Sequence, residues 1–307
     1  NEELIWEGSY GSRTGFYSLG DWHPKFYVTC ITHRNDAVLP VAVTGTPPNE
    51  EDFIGKAIER ISLGMIQTQI PSEIVDINIP YQIGLQNVAI VKINKTYPGQ
   101  TSKVANALWG SPQLALNKIL VIVSSNINIH KTNEVFSTIS KFYNPATDTG
   151  FGKGPADILD HSNVRSGFGG KLLIDATEKF PEEQTVSTYH EIPDPEVVSE
   201  ILGDKEVSIS GFRTHLLSLG YSILLVSIDK SNGVNARTVA TPIVRKLELS
   251  LPKIIIVVDK ELNLEDIPLV CWYAISNADP ARDCFYIDSG GKHMPCLVVD
   301  GTRKAFS

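Results

Sequence analysis

Asp160-His161 sets a carboxylate beside an imidazole, which is half of a nucleophilic triad. No GxSxG turn accompanies it, so hydrolase chemistry is not read here. Ser166-Gly167-Phe168-Gly169-Gly170-Lys171 invites a phosphate-loop reading. A P-loop needs four residues between its glycines and Ser or Thr after the Lys, whereas Leu172 follows Lys171. The glycines are therefore expected to allow a tight loop with positive φ. The 7 histidines and 4 cysteines are scattered, with no HExxH or CxxC spacing, so no local metal motif is found. Cys30, Cys271, Cys284 and Cys296 read as reduced thiols, most simply small buried hydrophobes. His23 and His33 read as hydrogen-bonded structural residues before ligands or catalysts. Glu7, taken by itself, is a solvated surface glutamate. Trp6, Trp22, Trp109 and Trp272 read as core or interface fillers.

A length of 307 residues allows two or three domains with sizeable cores. The net charge of -8 argues against a nucleic-acid partner, which calls for a basic face. The longest apolar runs, such as Ile254–Val258, are too short to cross a bilayer, so no transmembrane segment is expected. No signal peptide is read, and a cytoplasmic location is expected. A start at Asn1 rather than Met reads as a processed piece or a cloned fragment.

The elements that must position these groups follow from patterning. Residues 26–32 and 38–44 are β-branched and aromatic and predict a hairpin with its turn at Asn35-Asp36. A lone hairpin is marginal in water and needs more sheet. Asn49 is a good N-cap, and Glu50, Glu51 and Asp52 suit the positive first turn of a helix. Phe53, Ile54, Ala57, Ile58, Ile61 and Met65 recur at helical spacing before Pro71 ends it. Strands at Ile74–Ile79, Val88–Ile93 and Ile119–Val123, with helices near Ser102–Trp109 and Lys131–Phe142, suggest βαβ units and a mostly parallel sheet. A Rossmann nucleotide site would need GxGxxG after the first strand, which is missing.

The pattern then recurs. Lys118–Val123 falls on Lys253–Val258, and the same offset carries Val91–Lys95 onto Val226–Lys230, Asn128 onto Asn263, and Asn144–Asp148 onto Asp279–Asp283. With small gaps Asp175–Lys179 matches Asp300–Lys304. Apolar strands alone would recur in any βαβ protein; a shared Asn, Pro-Ala and Asp at one offset point to a duplicated α/β unit. The expected organisation is a partial split β-barrel remnant over 1–48, an α/β domain over 49–190, and a second, degenerate copy over 191–307. Both α/β domains are expected to carry mostly parallel sheets.

Four blocks carry a resemblance to a known family. They are Glu7–Tyr17; Gly45-Thr46-Pro47-Pro48 with the helix after it; Glu73–Asp76 with Lys95–Gln100; and Asp157–Ser162 with Ser166–Lys171 and Ile174–Thr177. Their order and spacing over residues 1–180 resemble the UbiD family of flavin-dependent aromatic acid decarboxylases. The resemblance implies a carboxy-lyase that removes CO2 from an aromatic acid substrate without oxidation. It also implies a prenylated FMN cofactor held with a divalent metal (manganese) and potassium. One substrate it suggests is a polyprenyl-hydroxybenzoate of ubiquinone or menaquinone biosynthesis. The family's two acids stand in a Glu-x-x-(Phe/Tyr)-Gly-(Glu/Asp) pattern. Glu7 falls on the first and is the one catalytic position carried over; Ser12 falls on the second. A carboxylic acid of tuned pKa can donate a proton, whereas a serine hydroxyl can only relay one, so either another acid such as Asp21 serves, or the chemistry differs, or this lineage has lost it. The family's arginine, metal ligands and most of its flavin pocket lie upstream of this block. The chain thus reads as the C-terminal portion of such an enzyme, inactive alone and binding no cofactor by itself. A homo-oligomer joined through the α/β domains is expected. The alternative is a non-catalytic assembly module in which the second copy acts as an internal pseudo-partner.

Overall fold

The computed structural model describes residues 3–84, 87–112, 114–184, 192–203, 208–247, 251–288 and 295–304. It opens with a two-stranded antiparallel sheet, β1 (Leu4–Glu7) and β2 (Asp21–Pro24), in which Glu7 pairs with Asp21 and Trp6 with Trp22. The two Trp rings meet edge to face, with centroids 5.7 Å apart. The expected hairpin of 26–32 and 38–44 is corrected. The turn at Asn35-Asp36 is present, but neither flank joins a sheet. No described strand lies alongside to accept their backbone hydrogen bonds. Phe26 is 88% and Val38 89% exposed, so burial does not hold them either.

Helix α1 (Glu50–Gln69) begins where its capping chemistry dictates. Asn49 Oδ1 accepts from Glu51 N at 3.0 Å, and Asp52 Oδ2 accepts from Asn49 N at 2.7 Å. Its orientation departs from the apolar spacing. Phe53, Ile54, Ile61 and Met65 face outward, while Asp52, Gly55, Glu59, Ser62 and Ile66 are buried. Glu59 explains the choice: it is 2% exposed, pairs with Lys56 and Arg60, and accepts from Ile79 N. A buried carboxylate with that many partners fixes the helix face as firmly as an apolar stripe would.

The next unit comprises β3 (Ile74–Asn78), β4 (Val88–Ile93), α2 (Gln100–Trp109), β5 (Ile119–Ser124), α3 (Thr132–Phe142), β6 (Thr149–Pro155) and β7 (Phe168–Ala176). Its strands are ordered β3-β4-β5-β7-β6. The last unit runs α4 (Pro195–Leu202), β8 (Gly211–Arg213), α5 (His215–Ser218), β9 (Ile223–Ile228), α6 (Ala236–Leu247), β10 (Ile254–Asp259), α7 (Ile267–Asn277), α8 (Pro280–Asp283), β11 (Cys284–Ile287) and β12 (Cys296–Asp300). Its order is β11-β12-β10-β9-β8. Read from opposite ends, the two orders are the same. β4 and β9, β5 and β10, and α3 and α7 start and stop at one constant offset.

The sheets are mixed rather than mostly parallel, which corrects the expectation. In each, the three inner strands run parallel and both edge strands antiparallel. The edges follow from connection type. β3 reaches β4, and β6 reaches β7, without a crossover helix, so each second strand must return antiparallel.

Three cores result. Ile66 of α1 and Val104 and Leu108 of α2 cover one face of the first sheet. Val198 of α4 and Val239 and Ile243 of α6 cover one face of the second. The remaining faces meet each other in a shared core that includes α3 and α7, with Val121, Ile139, Ile254 and Ala274 among its members. Burying each Val, Leu or Ile there contributes about 1.5–3 kcal/mol. The seam is reciprocal. Lys118 Nζ donates to the α7 carbonyl of Ile275 at 2.7 Å, and Lys253 Nζ to the α3 carbonyl of Ser140 at 2.5 Å. Each of these matched lysines satisfies a carbonyl that the last turn of the facing helix leaves without a backbone partner.

Candidate functional site

Strand pairing builds the acidic part of the site. Glu7 on β1 stands opposite Asp21 on β2, and residues directly opposite share a face. His23, two positions along β2, points to the same face, with Nε2 3.5 Å from Glu7 Oε2. Glu7 is 53% exposed at its side chain, so this carboxylate–imidazole pair is open to solvent, with Asp21 opposite Glu7 on the neighbouring strand. Asp21, weighed as a second acid, is thus placed beside Glu7, and His23, read as structural, joins them.

Ser12 lies elsewhere. It is 4% exposed, its amide donates to Phe16 O at 2.8 Å, and its hydroxyl accepts from Thr14 Oγ1 at 3.4 Å. Buried in a tight loop, it cannot exchange protons with solvent as an acid would. The loop is pinned from both α/β units. Arg13 forms an ion pair with Asp157, and Thr14 Oγ1 sits 3.2 Å from His161 Nδ1. Trp272, on α7 of the far unit, donates from Nε1 to Arg13 O at 3.2 Å. Its ring lies so close to Gly15 that a Cβ there would sit 2.8 Å from it, and Gly15 has φ +79. Only glycine meets both demands.

Electrostatics follow burial. Desolvation lowers the pKa of Arg13, opposed by Glu51, Asp160 and Tyr10. Desolvation also lowers His161, which favours the neutral ring beside Thr14. Burial acts to raise Asp160, but the Lys118 ammonium at 2.8 Å and the Ser162 hydrogen bonds outweigh it and hold the carboxyl below its usual value. Asp160 and His161 therefore anchor a loop and are not part of a triad. Lys171 is likewise an anchor: buried, it donates to Ala115 O at 2.6 Å and Asn117 O at 2.8 Å. Gly167 has φ +74, as the tight-loop reading expects. The contacts of Arg13 and Trp272 were not readable from sequence. Glu7–Tyr17 and Asp157–Ser162 stand out as separate blocks, and nothing local marks Trp272 as their partner.

The model of the 3-octaprenyl-4-hydroxybenzoate carboxy-lyase C-terminal domain matches residues 52–176 and 201–300. The model of that enzyme's Rift-related domain matches residues 1–47. The chain belongs to the UbiD family. An uncharacterized protein of Archaeoglobus fulgidus is 42% identical over 183 residues, covering 59% of this chain and 38% of the relative. One of Aquifex aeolicus is 39% identical over 202 residues, covering 65% and 41%. The chain thus spans about two fifths of the length of these curated relatives. The vanillic acid decarboxylase of Sedimentibacter hydroxybenzoicus in closed form shares the fold at TM-score 0.52 and 23% identity, over 66% of this chain and 44% of that one.

UbiD membership implies a flavin and a divalent metal, and the fit of this chain can be tested. Among the described residues no group of three His, Cys, Asp or Glu side chains converges to hold a metal. The cavity between the two sheets has apolar walls and offers no cation for a flavin phosphate. Neither a metal-ligand group among the described residues nor a phosphate-binding cation in this cavity fits the two groups.

Proposed function

We propose that this chain is the C-terminal portion of a UbiD-type carboxy-lyase that decarboxylates an aromatic acid, with Glu7 as the proton donor. The carrying observation is the Glu7–His23 pair, with Asp21 opposite Glu7, on two strands whose connecting loop is tied by Arg13 and Thr14 to Asp157 and His161. In the reaction the bond between the ring carbon and the carboxylate breaks, CO2 leaves, and a proton from Glu7 takes its place. Asp21 serves in place of the family's second acid, which Ser12 does not supply. The prenylated FMN, the divalent metal and the potassium ion of the family would be held mainly by residues outside this chain. A polyprenyl-hydroxybenzoate of quinone biosynthesis is one substrate in this class, and the setting would be cytoplasmic. Residues 1–48 would end a split barrel, a reading supported by the Rift-related match to 1–47. The test is a visible spectrum of the native protein, followed by CO2 release from a panel of aromatic acids. A flavin band with turnover supports the reading; a flavin-free native protein without turnover refutes it.

A second reading concerns assembly. Residues 49–190 and 191–307 would derive from duplication, the later copy standing where a second subunit's α/β domain would pack. The reciprocal Lys118 and Lys253 contacts favour this, because residue i touching j while j touches i is the signature of a two-fold interface. Homo-oligomers would then use a surface other than this seam. Photo-cross-linking with peptide mapping tests it: a benzophenone amino acid in place of Tyr221, whose ring lies 5.7 Å from that of Phe136 across the seam, should link to the segment around Phe136 within one chain, and links between chains there would refute it.

A further inference from the structure

The seam between the two sheets encloses a cavity of about 350 Å³. Its walls come from both units, with Val121 and Ile174 facing Ile256 and Val299 across it. Matched helices flank it unequally. Where α3 presents Phe136 and Ile139, the equivalent positions of α7 carry Cys271 and Ala274. The space exists because the later unit is small where the earlier one is bulky. The mouth lies at the N-terminal ends of the two helices, where Thr132 and Pro268 are exposed and Gln82 is half-buried. Gln82 and Thr132 are the hydrogen-bonding side chains there, and no charged residue lines the cavity.

Two physical facts bear on this space. A dry void of that size, left empty, would cancel a large share of a domain's stability. Water does not fill its interior either, since a buried water needs two or more polar partners and the walls supply none beyond Gln82 and Thr132 at the mouth. A cavity of about 150 Å³ lined by Leu, Ile and Phe accepts benzene, so this one has room for about a dozen carbon atoms. Its size and its apolar walls with a few polar groups at one end match those of small-molecule sites.

We propose that the cavity between the two α/β units is a binding site for a small, uncharged, hydrocarbon-like ligand whose single polar end sits at Gln82 and Thr132. The site is separate from the Glu7 hairpin and does not depend on the carboxy-lyase reading. Binding would stabilise the pairing of the two units, because the ligand touches both.

The probe is 1-aminoanthracene, titrated into the 307-residue chain and followed by its fluorescence. The expected result is saturable binding of one probe per chain. Cys271→Phe combined with Ala274→Ile gives α7 the residues of α3. It should weaken binding at least tenfold while leaving the melting temperature equal or higher. Absence of saturable binding by the wild-type chain, or unchanged affinity in a folded double variant, overturns the proposal. The latter would place the probe on an exposed apolar surface such as that of α1. Should the double variant not fold, Cys271 reports directly in a Cys30→Ser chain, where Cys284 and Cys296 are buried. Saturating probe should slow methanethiolation of Cys271 at least tenfold, and an unchanged rate overturns the proposal.

Discussion

Trp272 shows how a single residue ties the far unit to the candidate site. It is 6% exposed, covers Gly15 and donates to the Arg13 carbonyl. Trp272→Phe keeps most of the volume and loses the hydrogen bond, at a cost of about 0.5–1.5 kcal/mol. Trp272→Ala also opens a cavity and should cost about 3–5 kcal/mol. Denaturant unfolding measures both, and hydrogen exchange at residues 12–16 should quicken in both. Lys253 offers a pH test. Burial lowers its ammonium from the ordinary 10.5 to about 8. Between these values the unfolded chain holds a proton that the folded chain has released, so folding is penalised at low pH and the penalty lifts as pH rises from about 8 to about 10.5. Wild-type stability should therefore gain on Lys253→Met by roughly 1–3 kcal/mol across that window. Comparing the two cancels the buried cysteines, which titrate in the opposite sense. His161, also lowered by burial, works at the acid end: its contribution is whole above about 6.5 and is lost as pH falls further.

At the scale of elements, local chemistry was legible and partners were not. Asn49 and its acidic neighbours mark the start of α1 because a cap is a short-range device. The face α1 buries was misread, because Glu59 finds its partners at Arg60, Lys56 and Ile79, which periodicity does not register. Residues 26–44 have strand composition but lack a neighbour within the described chain. Composition cannot supply one. The Gly167–Gly170 run shows the same limit. Its positive φ at Gly167 was foreseeable, but the close approach at Gly170 was not. There α8 comes so near that a Cβ would lie 2.2 Å from Ala281 N, while Gly170 N donates to Asp279 Oδ1 at 2.8 Å. Gly170→Ala must push α8 away from β7 and should cost about 1–3 kcal/mol in thermal or denaturant unfolding. Gly152→Ala, where a Cβ would lie an ordinary 3.6 Å from Lys171 Cβ, is the control and should be mild.

For the whole molecule, the recurrence of Lys118–Val123 at Lys253–Val258 marks two inner strands that hold the same place in sheets of the same strand order. It did not reveal that the two sheets face each other, since a recurring pattern encodes a local fold and not the angle at which two such folds dock. The same holds for the site. Glu7 and Ser12 could be aligned to the family pattern, yet the pairing of Glu7 with Asp21 and His23 depends on strand register, and the burial of Ser12 depends on Arg13, Thr14 and Trp272. The proposed chemistry requires this hairpin to deliver the proton that replaces CO2. Its most direct test is the rate of decarboxylation in D2O by the full-length, flavin-loaded protein carrying Glu7→Gln, beside the wild type. Loss of general acid catalysis predicts a fall of about 10²–10⁴-fold in product deuterated at the vacated ring carbon, with flavin still bound. A Glu7→Gln protein that forms deuterated product at the wild-type rate would show that the proton comes from another group.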